Sequence, residues 1–369
     1  MSDIGKKLKI GIIGCGFVTN FKHLPILSKL AEQVELVAFC DIIEERAIKA
    51  AKEYGAERSK IYADYKELLK DESIDVVYVC TPNVSHSFIT VDALEAGMHV
   101  MCEKPMAIDS TEAKKMLDAA KLTGKKLTIG YQNRFRKDSQ LMHEICRSGD
   151  LGEIYYGKAF ATRRRAVPTW GVFMDKEKQG GGALIDIGTH ALDLTLWMMD
   201  NYKPKVVMGS ISHKLKYKNE GNSFGLWKPE EFNVEDSARG FIRMENGATI
   251  ILEAAWALNL TEAREACCSV CGTDGGVEML GLSANESNLI VNGQKYGKLF
   301  DMRLREMEGA AFFAVKNQTD AEVEAAQWIN AVVNDKEPVV KPEQAYAVTQ
   351  ILEAVYKSAK TGQAVYFND

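Results

Sequence analysis

The chain has 369 residues, a formal net charge of −5, and 46% hydrophobic and 26% charged residues, which is ordinary globular composition. The length argues for two domains, the negative balance argues against nucleic acid or an anionic membrane surface as partner, and only 8 prolines leave little room for disorder. No apolar run approaches the roughly 20 residues of a spanning helix. Met1–Lys7 lacks the charged-then-apolar layout of a secretory leader, and the eight cysteines lie mostly in apolar strand-like runs, so a reduced, cytoplasmic protein is expected. The densest basic cluster, Arg163-Arg164-Arg165, is too small for a nucleic-acid footprint.

In chain order, Leu8–Ile13 is an unbroken apolar run, as in strands buried on both faces of a parallel sheet. It leads into Gly14-Cys15-Gly16-Phe17-Val18-Thr19 and then a helical pattern, the layout of a dinucleotide-binding turn. Gly14 permits the tight turn, Gly16 lets the backbone approach a pyrophosphate, and the helix start offers unpaired N–H groups. Phe17 and Val18 ride on the same turn and are expected to meet the cofactor. The third motif position usually holds Gly or Ala for close packing; here it is Thr19. Pro25 is expected to break the following helix near His23. The run Val34–Cys40 ends at Asp41, near the spacing of about 20 residues at which a carboxylate meets the ribose hydroxyls. That charge repels a 2′-phosphate, so NAD is expected over NADP, and Arg46 is read as a solvated helix residue. Helices over Glu44–Tyr54, Ser85–Ala96 and Ser110–Leu122 alternate with strands over Asp75–Cys80, His99–Cys102 and Leu127–Ile129. Ser110 or Thr111 serves as N-cap of the last helix and Gly124 as its stop. This rhythm predicts a Rossmann doubly wound parallel sheet over residues 1–130.

Beyond residue 150 the rhythm changes. Ile154–Arg165, Lys205–Tyr217, Val234–Met244, Ala248–Leu258 and Ala266–Met279 read as consecutive strands, with a helix only around Asp186–Met199. Residues 131–369 are therefore expected to form an α+β domain with a large, mostly antiparallel, open-faced sheet. Lys218–Asn233 reads as a long loop of the kind that carries function. Helices over Thr319–Val333 and Pro342–Lys360 close the chain. Cys267, Cys268 and Cys271 do not predict a metal site, because an extended strand turns Cys268 away from the other two and no second Cys/His pair follows.

Five motifs in this order carry a resemblance. They are Gly14-Cys15-Gly16; Cys80-Thr81-Pro82-Asn83 with His86; Glu103-Lys104-Pro105; Tyr131-Gln132-Asn133-Arg134-Phe135; and the run from Gly180 through Asp186 to His190. On them the chain resembles the Gfo/Idh/MocA family, which includes glucose–fructose oxidoreductase and inositol dehydrogenase, over nearly its whole length. The resemblance implies a cofactor domain followed by an open-faced sheet domain, assembled through that sheet as a homodimer or homotetramer. It implies cofactor contacts at Thr81, Pro82, Asn83, His86, Glu103, Lys104 and Gln132. Thr19 and the Arg163–Trp170 stretch depart from the family pattern, and the second departure leaves the substrate open.

Oxidising a secondary alcohol needs a hydride acceptor, a base and stabilisation of charge on the oxygen; the cofactor supplies only the first. Lys104 follows a strand at the end of the sheet where ligands bind, and is expected to donate to the reacting oxygen. Asp186 and His190 stand four apart with Asp193 three further on, one face if helical. His190 is expected to be the general acid/base, Asp186 to bind substrate and tune the pair, and Asp193 to orient His190 or meet a further hydroxyl. The glycines at 180–182 are expected to let the backbone approach the cofactor. His86 is expected to cap its helix or line the nicotinamide pocket, and Gln132 and Asn133 to line a cleft. Arg163 and Arg165, on one face of an extended strand, would bind hydroxyls or cofactor phosphate, and Trp170 would stack on a sugar ring or aglycone. With Phe173 and Trp227 that makes a more aromatic cleft than a free monosaccharide needs. The expected reaction is NAD-dependent oxidation of a secondary hydroxyl of a small-molecule sugar, cyclitol or glycoside, C3 of a glycoside being the sharpest version. Two alternatives share these motifs: redox-assisted, NAD-dependent glycoside cleavage and a non-catalytic NAD-sensing regulator. A metal hydrolase built on Asp186 and His190 lacks further ligands.

Overall fold

The computed structural model describes residues 7–281, 289–303 and 318–367. The chain divides into two compact units, Met1–Gln132 with Gln318–Tyr346, and Asn133–Asn317 with Ala347–Asp369.

The first unit holds six parallel strands: β1 (Leu8–Ile13), β2 (Val34–Cys40), β3 (Lys60–Tyr62), β4 (Val76–Val79), β5 (His99–Cys102) and β6 (Leu127–Ile129). They lie in the order β3-β2-β1-β4-β5-β6. Ile10, Ile12, Val76, Val77 and Val100 are fully buried, which is why these strands read as continuous rather than alternating apolar runs. The sequence did not reveal β3, a three-residue edge strand with no buried residue. The helices Glu44–Tyr54, His86–Glu95 and Ser110–Thr123 lie between strands. Asp109, not Ser110 or Thr111, caps the last of these by accepting from Glu112 N, and Gly124 stops it at φ 66°. After the glycine turn the chain makes one π-helical turn, Thr19–His23, and passes into Leu24–Lys29 with Pro25 in the first turn. Proline has no amide hydrogen to donate, so a widened turn stands where a break was expected.

The helix Asp320–Val333 belongs to this first unit, so residues 131–369 are not one block. Its Trp328 and Ile329 join the core of Ile10, Ile12, Val76 and Tyr78. An amphipathic helix looks the same in sequence whichever core it covers, so this return left no signature.

The second unit carries β7 (Ile154–Thr162), β8 (Pro204–Ser212), β9 (Ser237–Met244), β10 (Thr249–Ala255), β11 (Arg264–Gly272), β12 (Gly275–Met279), β13 (Leu289–Lys295), β14 (Lys298–Arg303) and β15 (Val365–Tyr366). Their order is β14-β13-β12-β11-β7-β10-β9-β8-β15, antiparallel throughout except for the parallel pair β7 and β10. The stretch Ala266–Met279, read as one strand, is the hairpin of β11 and β12. It turns where Thr273 and Asp274 donate their amides to Glu153 O and Leu151 O. Helix Thr189–Met199 is buried from Thr189 to Met198, and a Cβ on Gly157 of β7 would lie 2.8 Å from Met199 Sδ. Helix Pro342–Thr361 packs Val355 on Gly209 and Gly240 of the same sheet. Met208 and Phe241, register partners on β8 and β9, alternate with those covered positions and are exposed. At Ala266 the φ is 50° and the register with β7 shifts, leaving both Cys267 and Cys268 buried. Among the described residues no three His, Cys, Asp or Glu side chains are grouped to hold a metal ion.

Candidate active site

In the first unit the strand order reverses between β1 and β4, where open α/β sheets form a ligand crevice at the carboxyl ends. The turns leaving those two strands touch at Gly14: its φ is 93°, and a Cβ would lie 2.5 Å from Cys80 O and 3.1 Å from Thr81 Cγ2. Gly16 is different, because a Cβ there would meet nothing within 4 Å. Protein packing does not demand that glycine, whereas an approaching pyrophosphate does. Thr19 fits the third motif position by donating its hydroxyl to Gly14 O at 2.5 Å, and Asn20 Nδ2 ties Cys15 O and Gly16 O at 2.8 Å each. Phe17, exposed over 67% of its surface, stacks on Phe21 at 5.3 Å, and Val18 is half-buried beside it.

Asp41 is buried at the end of β2. Its Oδ2 accepts Cys15 N and its Oδ1 accepts Ile43 N, each at 2.8 Å. It thus braces the glycine turn, with Ile42 exposed beside it. Gln132 Oε1 is buried with no hydrogen-bond partner among the described residues. A buried acceptor in that state implies a donor from a ligand or water. The open Gly16, the braced amides and this acceptor fit a dinucleotide.

Two expectations for this unit change. His86 neither caps a helix nor opens to a pocket: its Nδ1 faces Pro105 O at 2.8 Å and its Nε2 faces Thr81 O at 2.9 Å. It joins the turn that begins with Thr81, Pro82 and Asn83 to the turn that carries Lys104, and burial pushes its pKa down. Glu103 was expected on the cofactor. Its buried carboxylate instead accepts Lys22 Nζ at 3.1 Å and His23 Nε2 at 2.8 Å on Oε1, and Lys104 N at 3.1 Å on Oε2. Burial alone would raise its pKa, but Lys22 and His23 hold it well below the usual carboxylate range. Lys22 in turn pairs with Glu324 of the returning helix at 2.8 Å. The Lys104–Pro105 bond is cis and Lys104 is half-buried.

In the second unit, Asp186 lies on a π-helical turn, Leu184–Gly188, that runs into the helix starting at Thr189. Asp186 Oδ2 accepts Trp256 Nε1 at 2.9 Å, and His190 lies one turn on, 8% exposed. Asp193 does not share their role. It forms a two-point pair with Arg134, Nε to Oδ2 at 2.9 Å and Nη2 to Oδ1 at 2.6 Å, and both residues are buried. The guanidinium also lies over Trp197 at 5.4 Å. Widening the turn at Leu184–Gly188 shifts the helical phase, so the i, i+4, i+7 pattern of the sequence does not hold across it.

The glycines were expected to admit the cofactor, but protein packing accounts for two of them. A Cβ on Gly181 would lie 2.0 Å from Tyr356 Oη, and one on Gly182 2.2 Å from Glu235 O. Arg163 is also committed: its guanidinium pairs with Glu265 and donates to Ala166 O at 3.2 Å. Arg165 lies past the end of β7 and donates to Asn259 Oδ1 at 2.7 Å. Asn133 is half-buried at the start of this unit.

Two loops of this unit are knitted together. Asn222 accepts Val167 N at 2.8 Å and donates to Val167 O at 3.0 Å, and Ser223 N donates to Arg165 O at 3.0 Å. On them Trp170, 41% exposed, meets Phe224 edge-on at 4.9 Å and Phe173 at 5.8 Å. Trp227, expected in the same cleft, is buried instead, donates to Lys216 O, and reaches Trp256 through Phe232. Phe224 takes its place. Sequence reasoning missed Lys22, Arg134, Glu235, Trp256 and Tyr356 as supporting residues; Arg134 alone stood inside a quoted motif.

Two family models match the chain: "Oxidoreductase family, NAD-binding Rossmann fold" over residues 8–131, and "Oxidoreductase family, C-terminal alpha/beta domain" over residues 144–367. The chain is 37% identical over 358 residues to D-glucoside 3-dehydrogenase of Escherichia coli (strain K12), covering 97% of each. It is 32% identical over 200 residues to inositol 2-dehydrogenase of Salmonella typhimurium (strain LT2), covering 53% of this chain and 56% of that one. Among solved structures, levoglucosan dehydrogenase in complex with NADH and levoglucosan has the same fold, with a TM-score of 0.80, 22% identity, and coverage of 98% and 99%.

Proposed function

The chain belongs to the Gfo/Idh/MocA oxidoreductase family, and from that membership we propose that it oxidises the C3 hydroxyl of a glycoside, with NAD as acceptor. The observation that carries the substrate class is the end-to-end likeness to D-glucoside 3-dehydrogenase. The exposed Trp170–Phe224 lobe favours a substrate with a ring beyond the sugar, since aromatic faces stack on such groups.

The alcohol loses a hydride and a proton and becomes a ketone. Bound NAD supplies the hydride acceptor. Gly14, Gly16, Phe17, Val18, Asp41, Thr81, Pro82, Asn83 and Gln132 would hold it. Lys104 donates a hydrogen bond to the reacting oxygen and stabilises the negative charge that grows there. His190 takes the hydroxyl proton, a task suited to an imidazole near neutral pH. Asp186, aimed by Trp256, accepts a substrate hydroxyl, and Asn133 offers an amide to another. His86 and Glu103 act one layer back by holding the turn that carries Lys104. We assign Arg163 and Asp193 to structure, leaving Arg165 and Trp170 for the part of the substrate outside the oxidised ring.

The open sheet face at Met208 and Phe241 is the surface on which a second copy would pack, as a homodimer or homotetramer. Sedimentation of the wild type and of Phe241→Glu tests this. Among the described residues no helix is long and apolar enough to cross a membrane, which suits an enzyme of the cytoplasm.

The test is NADH formation with NAD or NADP across glucose, inositol and aryl glucosides. The expected result is NAD-dependent turnover fastest with a glucoside, giving a product lighter by two hydrogens. Faster turnover of free glucose or inositol would refute the glycoside. Aglycone release without NADH would favour redox-assisted cleavage, and NAD binding without either would favour a regulator.

A further inference from the structure

Two side chains with no part in that chemistry converge on the segment leading to Asp186 and His190. Glu235, buried just before β9, accepts Gly182 N at 2.8 Å on Oε2, and Leu184 N at 2.9 Å and Tyr356 Oη at 2.8 Å on Oε1. Its carbonyl accepts Ala183 N at 3.3 Å. Residues 182–184 thus all hang from one side chain and its own backbone. Tyr356 reaches in from the last helix and lies so close to Gly181 that any larger residue there would displace it.

A carboxylate taken out of water is costly, and here three donors, Gly182 N, Leu184 N and Tyr356 Oη, offset that cost. Burial pushes the Glu235 pKa up, against the pull of Leu184 N, Tyr356 Oη and Gly182 N. What the carboxylate adds is direction. It fixes the Leu184 amide at the first residue of the π turn, and a π turn is a rare, local form that needs its ends held. Released at Leu184, the turn can relax toward α geometry, which would rotate Asp186 away from Trp256.

We propose that Glu235 and Tyr356 are positioning residues that set where the π turn begins and so aim Asp186 and His190. This rests on the assignment of Asp186 and His190 to the reaction made above.

The test is Tyr356→Phe, which removes one oxygen atom. Its kcat for an aryl glucoside should fall about tenfold, the scale of a small misplacement of a reacting group. The isotope effect from deuterium at the oxidised carbon should rise, and NAD affinity by calorimetry should be unchanged. Amide exchange in residues 180–190 should quicken while β9 and β10 stay protected. Gly181→Ala displaces the tyrosine by another route and should give the same kinetic pattern; if it does not fold, Tyr356→Phe decides alone. Wild-type kcat, isotope effect and exchange in Tyr356→Phe would overturn the proposal. Wild-type turnover in Asp186→Asn and His190→Ala would instead overturn the assignment beneath it.

Discussion

Trp256 donates its indole N–H to Asp186 at 2.9 Å, tying the π turn that carries the carboxylate to the residue that follows β10. Trp256 is fully buried, so its ring is core and its N–H is the directing group. Trp256→Phe keeps most of the packing and removes the donor. A hydrogen bond to a charged group contributes about 1.5–3 kcal/mol, so kcat/KM for the glycoside should fall at least tenfold. Steady-state kinetics beside NAD calorimetry checks this: cofactor affinity should hold.

Lys104 donates its backbone N–H to Glu103 at 3.1 Å, and its charge helps to hold that carboxylate ionised. Lys104→Ala should lower kcat by about 10²–10⁴, the range for a group that manages a proton or its charge. Lys104→Arg should not restore the rate, because a planar fork does not replace a compact ammonium. NAD titration should show the cofactor site intact in both variants.

Glu103 predicts a pH dependence of stability. Its folded pKa lies well below the ordinary 4.5. The sign follows from linkage: the stabilisation is fully present above about 4.5 and is lost as pH falls through the folded value. Glu103→Gln should therefore melt lower than wild type at neutral pH, and the gap should close as pH falls below 4.5. Melting curves from pH 7 to about pH 3 decide it; a gap that stays constant would show that the carboxylate's charge is not what holds the turn.

The Arg134–Asp193 pair predicts a loss of stability without a change of chemistry. Removing one partner leaves a buried charge and costs about 3–5 kcal/mol, so Asp193→Asn should lower the melting temperature sharply. The pH profile of kcat should stay where it was. A displaced profile would return Asp193 to the role of orienting His190.

The legible parts of this fold were those in which local chemistry and tertiary role coincide. The strands β1, β2 and β5 announce themselves because both faces are buried, and Gly14 because its φ is positive. Thr19 looked like a departure only because its hydroxyl bond to Gly14 O is a three-dimensional fact. Asp193 was misplaced because its buried partner Arg134 stands 59 residues away in sequence, and helical spacing does not show which face a partner occupies. Gly181 and Gly182 were given the right property, absence of bulk, for the wrong neighbour. Phe224 stands where Trp227 was expected, because hydrophobicity does not say which ring of a loop turns inward. Lys22, Glu324, Glu235 and Tyr356 act across sequence separations that no local pattern encodes.

The most direct measurement is the fate of deuterium placed at C3 of an aryl glucoside. If the protein oxidises that carbon, the reduced NAD carries the label and the product is the 3-keto glycoside, with both signals lost in Lys104→Ala and His190→Ala. Unlabelled NADH from that substrate, with the deuterium retained at C3 of the product, would contradict oxidation at C3.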